Sequence, residues 1–399
     1  MKILYLAPHA LWPLTTGARL RDYHCSRQLA LESQLTYAQI CAPDDPDAGL
    51  RPPASPHAAV ETLEKERSYT PGKIVRGLLG PLPLTVTNYT SGAASRRLAE
   101  ILRETRFDTV QIEGVHLSGY LPVLRAAGAT RVVCDWHNIE SELMSRYAER
   151  ESNLAKKLVA KRTAQLLRQT EIELLRTCPA HTVASERERD ELLRTVPGAR
   201  VEVIPNGIDV AHFSVAADGE AEPPRKSLLF VGSMDYHANI DAVQWFAAEG
   251  WGPLSARHSE MEFVVVGRSP HASVRALAGG RLRVTGTVDD VRPYYGQAFA
   301  VAVPLRVGSG TRLKILEAMA AGVPVVSTRL GAEGIDAEHG RDILIADTPA
   351  EMVDALSLLY RDAELRARLS QGGRKLVADH YDWPAIGAKL VALHREIGG

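Results

Sequence analysis

The sequence is poor in the features that identify several common classes of protein. Its 399 residues include only four cysteines, Cys25, Cys41, Cys134 and Cys178, and none forms a C-x-x-C pair. A small disulfide scaffold is therefore excluded, and neither a zinc site nor a thioredoxin-type site is indicated. No His, Asp or Glu spacing is typical of a metal site. We expect buried free thiols in a reducing compartment.

Long apolar runs and an excess of one charge are also missing. No run reaches the roughly 18 residues that a membrane span needs, and 47 Lys and Arg balance 48 Asp and Glu. Binding to nucleic acid through the net charge of the whole molecule is therefore not expected. Met1–Ala7 is followed by Pro, His and Trp instead of a small-residue cleavage site. We interpret it as a buried first strand, and expect a cytoplasmic protein.

What the sequence does contain is a regular alternation of short apolar runs with longer amphipathic stretches. Such Val/Ile/Leu runs are typical of parallel strands covered on both faces. Two successive sets of six predict an α/β protein with two doubly wound domains. The twelve runs are Ile3–Ala7, Leu35–Cys41, Thr109–Ile112, Arg131–Cys134, His181–Ala184, Val201–Ile204, Leu228–Val231, Phe263–Val266, Leu282–Val284, Ala300–Pro304, Pro324–Ser327 and Ile343–Ala346.

The boundary between the two domains is predicted at Pro205–Asp209, because Pro and Asn-Gly favour turns. The polar segment Ala216–Lys226, which has no periodicity, is predicted to be a linker. The first domain is therefore residues 1–205, and the second begins at residue 206.

Two segments of the first domain are unusual. Residues 68–89 combine prolines with leucines and are predicted to be an apolar loop, and residues 139–176 are predicted to be one long helix. Two interpretations of that helix stay open, a solvated face or a surface for anionic lipid or an anionic acceptor. Between 144 and 168 it carries seven basic residues against Glu149 and Glu151; the basic ones are Arg146, Arg150, Lys156, Lys157, Lys161, Arg162 and Arg168.

The most informative motif is Gly308–Val326, which follows the strand Ala300–Pro304. Gly308 and Gly310 let a loop approach a ligand closely. Thr311 is placed to cap the helix that follows, whose N-terminus is a natural anion site.

Charged side chains strengthen the case for a ligand at that helix. Arg312 and Lys314 add two positive charges suited to phosphates, and Glu317 lies one turn deeper, where it can accept hydrogen bonds from ribose hydroxyls. The alternative is a surface ion pair between Lys314 and Glu317.

The first domain has weaker signals. Thr15-Thr16-Gly17 opens a helix after the first strand, but it matches neither G-x-G-x-x-G nor a Walker A loop. Asp135-Trp136-His137-Asn138 follows one predicted strand, and Glu113 and His116 follow another. These side chains either meet a ligand or are satisfied structural groups, and both interpretations stay open.

Taken together, these pieces resemble glycosyltransferase family 4, which has the GT-B fold, and the resemblance covers nearly the whole chain. Its branch is that of bacterial sugar transferases in exopolysaccharide and cell-envelope pathways. The pieces are the Gly17 turn, Asp135–Asn138, Pro205–Asp209, Phe230–Met234, Val266-Gly267, Thr285–Val288 and, most specific of all, Leu316–Val326.

The resemblance implies two Rossmann-like domains that face a central cleft. The N-terminal domain, 1–205, would bind the acceptor and the second, 206–375, the nucleotide sugar. A C-terminal helix within 376–399 would cross back to the first domain. It also implies roles for single residues: Glu317 at the ribose, Gly17 near the diphosphate, His137 at the donor sugar and the Thr287-Val288 backbone at the base. Gly232, Ser233, Ser309, Gly310 and Thr311 complete the implied donor site.

The sequence departs from the family pattern at two places. Ser309 stands where a second glutamate is usual, and we expect Glu333 to take over its task. The region from Gly232 to His237 lacks the usual Arg/Lys pair, and Arg312 and Lys314 are the expected replacements at the diphosphate.

The implied function is a retaining transfer from a nucleotide-diphosphate sugar to a saccharide or lipid-linked acceptor. It would use no metal and no cofactor, and it would take place in the cytoplasm or at the inner face of the membrane. His137, Arg312 and Lys314 would be the catalytic residues. A sugar-nucleotide epimerase and a non-catalytic nucleotide-sugar-binding protein are the alternatives.

Overall fold

The computed structural model describes residues 1–66, 69–214, 226–308 and 312–399. The chain divides into two compact units, here called unit 1 and unit 2. Unit 1 comprises Met1–Pro205 with Ile386–Gly399, and unit 2 comprises Asn206–Ala385. The predicted linker, up to residue 225, lies outside the described residues.

Unit 1 is built on a parallel sheet with the strand order β3-β2-β1-β4-β5-β6-β7. Its strands are β1 Lys2–Ala7, β2 Gln34–Cys41, β3 Ala59–Glu64, β4 Thr109–Glu113, β5 Val132–Trp136, β6 Ala180–Val183 and β7 Val201–Val203. The first helices are α1 Gly17–Glu32, α2 Pro71–Leu79, α3 Leu84–Tyr89 and α4 Gly92–Glu104. They are followed by α5 Leu121–Ala126, α6 Glu140–Arg150, α7 Leu154–Thr177 and α8 Glu186–Thr195.

Unit 2 repeats this plan with a parallel sheet of order β10-β9-β8-β11-β12-β13. Its strands are β8 Ser227–Val231, β9 Glu262–Val266, β10 Leu282–Val284, β11 Ala298–Val303, β12 Val325–Ser327 and β13 Leu344–Ile345. Its helices are α9 Val210–Ser214, α10 His237–Trp245, α11 Gly252–Arg257, α12 Ala272–Arg275, α13 Arg292–Gln297, α14 Leu313–Ala320, α15 Pro349–Arg361 and α16 Ala363–His380. The last helix, α17 Trp383–Gly398, ends in unit 1. The prediction of two parallel, doubly wound sheets is confirmed.

Two local predictions in unit 1 are wrong, and one strand was missed. The single helix predicted over 139–176 is broken into α6 and α7, because Asn153 caps the start of α7 by accepting a hydrogen bond from the Lys156 N–H. The predicted apolar loop 68–89 contains α2 and α3; Thr70 caps α2, and Pro71 occupies its first turn. The half-exposed edge strand β3 has no continuous apolar run and was not predicted.

The strand order places one topological switch point in each sheet. In unit 1 the direction of winding reverses between β1 and β4, and in unit 2 between β8 and β11. Ligands of such sheets bind beyond the carboxyl ends of the strands at these points. The residues after β1, β4, β8 and β11 are therefore the first place to look for a site.

Candidate functional site

In unit 2, Lys314 lies at the carboxyl end of β8. Its Nζ donates to the Asn239 side-chain oxygen at 2.6 Å and lies 4.3 Å from the centre of the Phe230 ring. A Cβ on Gly232 would come within 2.8 Å of Lys314 Nζ and of Asn239 Nδ2, so a larger residue there would displace these two side chains. Burial lowers the pKa of Lys314 to about 7. An anion bound at the helix N-terminus would favour the charged form of this amine, so Lys314 is suited to take up a proton together with an anion.

Glu317 lies one turn further along α14, on the same helix. Tyr295 donates its phenolic O–H to Glu317 Oε2 at 2.8 Å, and burial raises the pKa of this carboxyl above its usual value. Lys314 and Glu317 thus have different partners and are not the surface ion pair that the sequence left open. Oε1 of Glu317 is left to accept further hydrogen bonds.

Arg312 precedes α14 and is 8% exposed. Burial lowers its pKa, while Tyr236 and Glu333 act in the opposite direction. Gly308 has a φ of +116°, and a Cβ on it would lie 3.3 Å from the Arg312 guanidinium. The exposed Glu333 side chain lies close enough to Arg312 for its charge to raise the pKa of the guanidinium. The roles predicted for both residues stay predictions.

The remaining predicted donor residues lie at neighbouring strand ends. Ser233 follows Gly232, donates to Asp235 Oδ1 at 2.6 Å and accepts from Arg268 Nε at 2.9 Å. Thr287 and Val288 follow β10. Ser309, Gly310 and Thr311 lie outside the described residues, and α14 begins at Leu313 with Arg312 at the N-cap position.

Arg268 and Asn239 were not identified from the sequence. Arg268 is the second residue after β9, so its position near the end of a strand was an available signal. Asn239 lies within α10 and reaches Lys314 only through folding, and nothing in its local sequence indicates this.

In unit 1, two acidic and two histidine side chains form a mostly buried cluster. Asp22 lies on α1, and the other three, His9, Glu113 and His137, lie at or just after the ends of β1, β4 and β5. His137 Nε2 lies 3.0 Å from Asp22 Oδ1 and 2.9 Å from Glu113 Oε2. His9 Nε2 lies 2.7 Å from the other oxygen of Asp22. Asp22 and Glu113 have no exposed side-chain surface, whereas His137 is 18% exposed. His137 and His9, whose side chain is 20% exposed, are therefore the accessible members of the cluster.

The pKa values of the side chains in the cluster are shifted in different directions. Burial alone would lower the pKa of His137, but the Asp22 carboxylate beside it raises that pKa well above the usual value. Burial would likewise raise the pKa of Asp22, but the charge of His137 outweighs it and the pKa is lowered. Burial and the charge of Asp135 raise the pKa of Glu113 to about 8. The environment thus favours the charged forms of His137 and Asp22, whereas Glu113 holds a proton more readily than an ordinary glutamate.

Asp135, whose Oδ2 lies 3.4 Å from His137 Nε2, is also bound by a buried arginine. Arg21 forms two hydrogen bonds to its carboxylate, at 3.0 and 2.7 Å, and Thr182 adds a third at 2.5 Å. Arg21 also donates to the Ile204 carbonyl at 2.8 Å. The bidentate pair joins α1 to the end of β5, and the bond to Ile204 joins α1 to the end of β7.

Gly17 is the first residue of α1, and Thr16 caps that helix. A Cβ on Gly17 would meet no atom within 4 Å, so the packing of the chain does not itself require glycine there. The sequence pointed to Gly17, His137 and Glu113 but not to Asp22, which lies inside a helix with no distinguishing motif.

Within the described ranges, one group of three or more His, Cys, Asp or Glu side chains is close enough to hold a metal ion. It consists of Asp22, Glu113 and His137, whose potential ligand atoms all lie within 4.8 Å of one another. In the structure these atoms contact one another. Metal-independence stays a prediction.

Comparison with known proteins assigns both units to glycosyltransferase families. The family "Glycosyltransferase Family 4" matches residues 41–212, and "Glycosyl transferases group 1" matches residues 225–362. Each match covers most of one unit.

Two relatives illustrate the range of similarity. The phosphatidyl-myo-inositol mannosyltransferase of Mycobacterium leprae is 30% identical over 49% of this chain and 53% of its own length. The alpha-D-kanosaminyltransferase of Streptomyces kanamyceticus is 26% identical over 59% of this chain and 65% of its own length. The chain thus spans about half the length of the first curated relatives that it matches.

Solved structures agree on the fold. Sucrose-phosphate synthase from Thermosynechococcus elongatus has a TM-score of 0.71 at 16% identity and covers 99% of both chains. Anabaena HepE in complex with UDP has a TM-score of 0.68 at 14% identity, over 98% of this chain and 99% of that one. With two parallel-sheet units and a family match on each, this chain belongs to the group 1, family 4 glycosyltransferases of the GT-B fold.

Proposed function

We propose that this protein transfers a sugar from a nucleotide-diphosphate donor to a saccharide or lipid-linked acceptor of cell-envelope or exopolysaccharide synthesis. The observation that carries the proposal is Lys314, whose ammonium group lies against Gly232 at the switch point of unit 2. This is the strand end at which the usual basic pair of the family is missing. The phosphatidyl-myo-inositol in the name of the Mycobacterium leprae relative supports a lipid-linked acceptor.

The proposed reaction is retaining and independent of metal. An acceptor hydroxyl forms the new bond to the anomeric carbon on the face from which the diphosphate departs, and its proton passes to the departing phosphate. As the old bond breaks, negative charge develops on that diphosphate. Lys314, Arg312 and the N-terminus of α14 stabilise that charge, Glu317 holds the ribose, and His137 acts at the reacting centre. Retention is tested by comparing the anomeric configurations of donor and product by NMR.

Replacing Glu317 by glutamine is expected to weaken binding of the donor nucleotide by about 10- to 100-fold, since the charge-assisted hydrogen bonds to the ribose are lost. Glutamine keeps the size of the side chain and an oxygen for Tyr295. Binding is measured by calorimetry in excess chelator, after a thermal-shift screen of nucleotides and nucleotide sugars. A donor at 100 times its Kd should stabilise the wild type by about 2.7 kcal/mol.

The matched control is Glu351→Gln, an exposed residue of α15 whose capping role glutamine can keep. Equal affinities in the two variants would contradict the ribose assignment. If no nucleotide or nucleotide sugar binds the wild type, the proposed function itself is wrong.

We also propose that unit 1 contacts an anionic membrane surface through an apolar patch, defined here as Leu79, Leu154 and Leu158. These leucines are 80%, 77% and 69% exposed. Arg162 of α7 donates to the Gly80 carbonyl at 3.0 Å, which joins the end of α2 to α7. Leu158 lies one turn before Arg162 on the same helix face.

Positive charge borders the apolar patch. The exposed Arg76 and Lys161 lie three residues from Leu79 and Leu158 on their helices, and therefore on the same helix faces. Each basic side chain near an anionic leaflet contributes about 1 kcal/mol, and exposed leucines can insert at the headgroup boundary. Charge complementarity therefore favours anionic lipid as the occupant. Among the described residues, no helix combines the length and the apolarity that a membrane crossing requires.

The variant Leu79→Ser/Leu158→Ser is expected to lower the fraction bound to limiting anionic vesicles by about 10-fold, because two apolar side chains no longer leave water on binding. Vesicle flotation at low salt measures this, and high salt should release the wild type. Leu358→Ser is the control, since Leu358 is 51% exposed in unit 2. The lipid assignment is wrong if the wild type does not float with anionic vesicles. It is also wrong if the double variant loses self-association in solution instead of vesicle binding.

A further inference from the structure

One face of β4 carries a row of buried polar side chains. Side chains alternate along a strand, so Thr109, Gln111 and Glu113 share one face while Val110 and Ile112 enter the apolar core on the other. All three polar residues are 1% exposed. Buried polar groups need hydrogen-bond partners, and this row obtains one from a distant part of the chain.

That partner is His394 of α17, whose side chain is fully buried. Its Nδ1 lies 2.8 Å from Thr109 Oγ1, and its Nε2 lies 2.8 Å from Gln111 Oε1. Because an amide oxygen can only accept, His394 must carry its proton on Nε2, and the Thr109 hydroxyl donates to Nδ1. Burial lowers the pKa of His394 to about 4, so the ring is neutral.

The His394 bond orients the Gln111 amide. With its oxygen bound to His394, the amide points its NH₂ group toward the cluster and donates to Glu113 Oε1 at 2.6 Å. The other oxygen of the same carboxyl, Oε2, then lies 2.9 Å from His137 Nε2. Since a carboxyl group is planar, a hydrogen bond that fixes one oxygen fixes the direction of the other.

We propose that Gln111 and His394 are positioning residues, which hold the Glu113 carboxyl in place against His137. The hydrogen bonds run from α17 along β4 to the cluster, and all of these groups belong to unit 1. An amide does not pass on a proton, so the task of Gln111 is orientation. The functional consequence rests on the proposed function, which assigns His137 to the reacting centre.

Kinetics of matched variants test this consequence. Gln111→Met and His394→Phe keep the bulk of the side chain but lose the hydrogen bond, and we expect kcat to fall about 10-fold with the KM for the donor nearly unchanged. The two changes together should cost no more than either alone, because they break the same chain of hydrogen bonds. His394→Gln can still donate an N–H to Gln111 and should recover most of the activity.

Leu393→Ala is the control for packing of α17. Leu393 is 4% exposed and packs with Val133 and Ala180 on the same sheet face. This variant should lower the melting temperature but keep kcat. An unchanged kcat in Gln111→Met, or an equal loss of kcat in Leu393→Ala, would overturn the proposal.

Crystal structures of the variants give a readout that does not depend on activity. In His394→Phe the Glu113 carboxyl should turn away from His137, whereas in Leu393→Ala the contact should persist. If His394→Phe does not fold, Gln111→Met serves in its place. A Glu113 that keeps its contact in Gln111→Met refutes the positioning role, whereas wild-type protein without any transfer activity refutes only the proposed function.

Discussion

Replacing Lys314 by methionine is expected to slow sugar transfer by about 10²- to 10³-fold, the usual cost of removing one preorganised group that stabilises developing negative charge. Methionine fills similar space and can pack on Phe230, the ring over which the Lys314 Nζ lies. The fold should survive. Burial lowers the pKa of Lys314, so its charge contributes little to the free energy of unfolding. Transfer rate and melting temperature are measured together.

The pH dependence gives Lys314 a signature of its own. With a pKa of about 7 in the folded chain, against 10.5 for an ordinary lysine, the unfolded state binds more protons between these two values. The free energy of unfolding should therefore rise with pH across this window in the wild type, and the variant should lack this contribution. Donor affinity should fall as the pH rises above about 7, since the bound diphosphate needs the charged ammonium.

The control for Lys314→Met is Lys375→Met, whose side chain is 77% exposed on α16. It should keep the wild-type rate and pH dependence. Arg312→Ala is expected to act in the same direction as Lys314→Met. Unchanged rates in both Lys314→Met and Arg312→Ala would mean that other groups hold the diphosphate, and Arg268 beside Ser233 would be the next to test.

Replacing His137 by alanine is expected to lower the rate of transfer by about 10²-fold or more, while donor affinity changes by a few-fold at most. A group at the reacting centre contributes mainly in the transition state. His137 is also the charge that holds the pKa of Asp22 low. Its removal leaves Asp22 and Glu113 buried together without the imidazolium, so the melting temperature should also fall.

A second substitution separates these two effects. His137→Gln keeps an N–H that can be shared with Asp22 and Glu113, and it should therefore recover stability but not the rate. His380→Ala, at an exposed position, is the neutral control. Equal losses of rate and of donor affinity in His137→Gln would give His137 a binding role, and an unchanged rate would remove it from the mechanism.

Local chemistry explains why much of the fold could be predicted. All twelve predicted apolar runs overlap strands of the two sheets, because a strand covered on both faces needs a continuous apolar run. Thr16 and Ser185 cap the helices that follow them, since capping depends on neighbouring residues. Breaks that depend on one residue were harder to predict: Asn153 divides 139–176 into two helices, and their periodicity continues across it.

The sequence by itself determined the parallel sheets, their order along the chain and the position of Lys314 and Glu317 at the start of one helix, because these follow from short-range patterns. Only the tertiary structure decided the surroundings of His137. Asp22, Glu113 and His137 come from α1 and from the residues at the ends of β4 and β5, and Gln111 and His394 are 283 positions apart. No local pattern specifies such pairs, since the packing of α1 and α17 on one sheet face brings them together. Burial in that packing, and not residue type, then sets which of these groups carry charge.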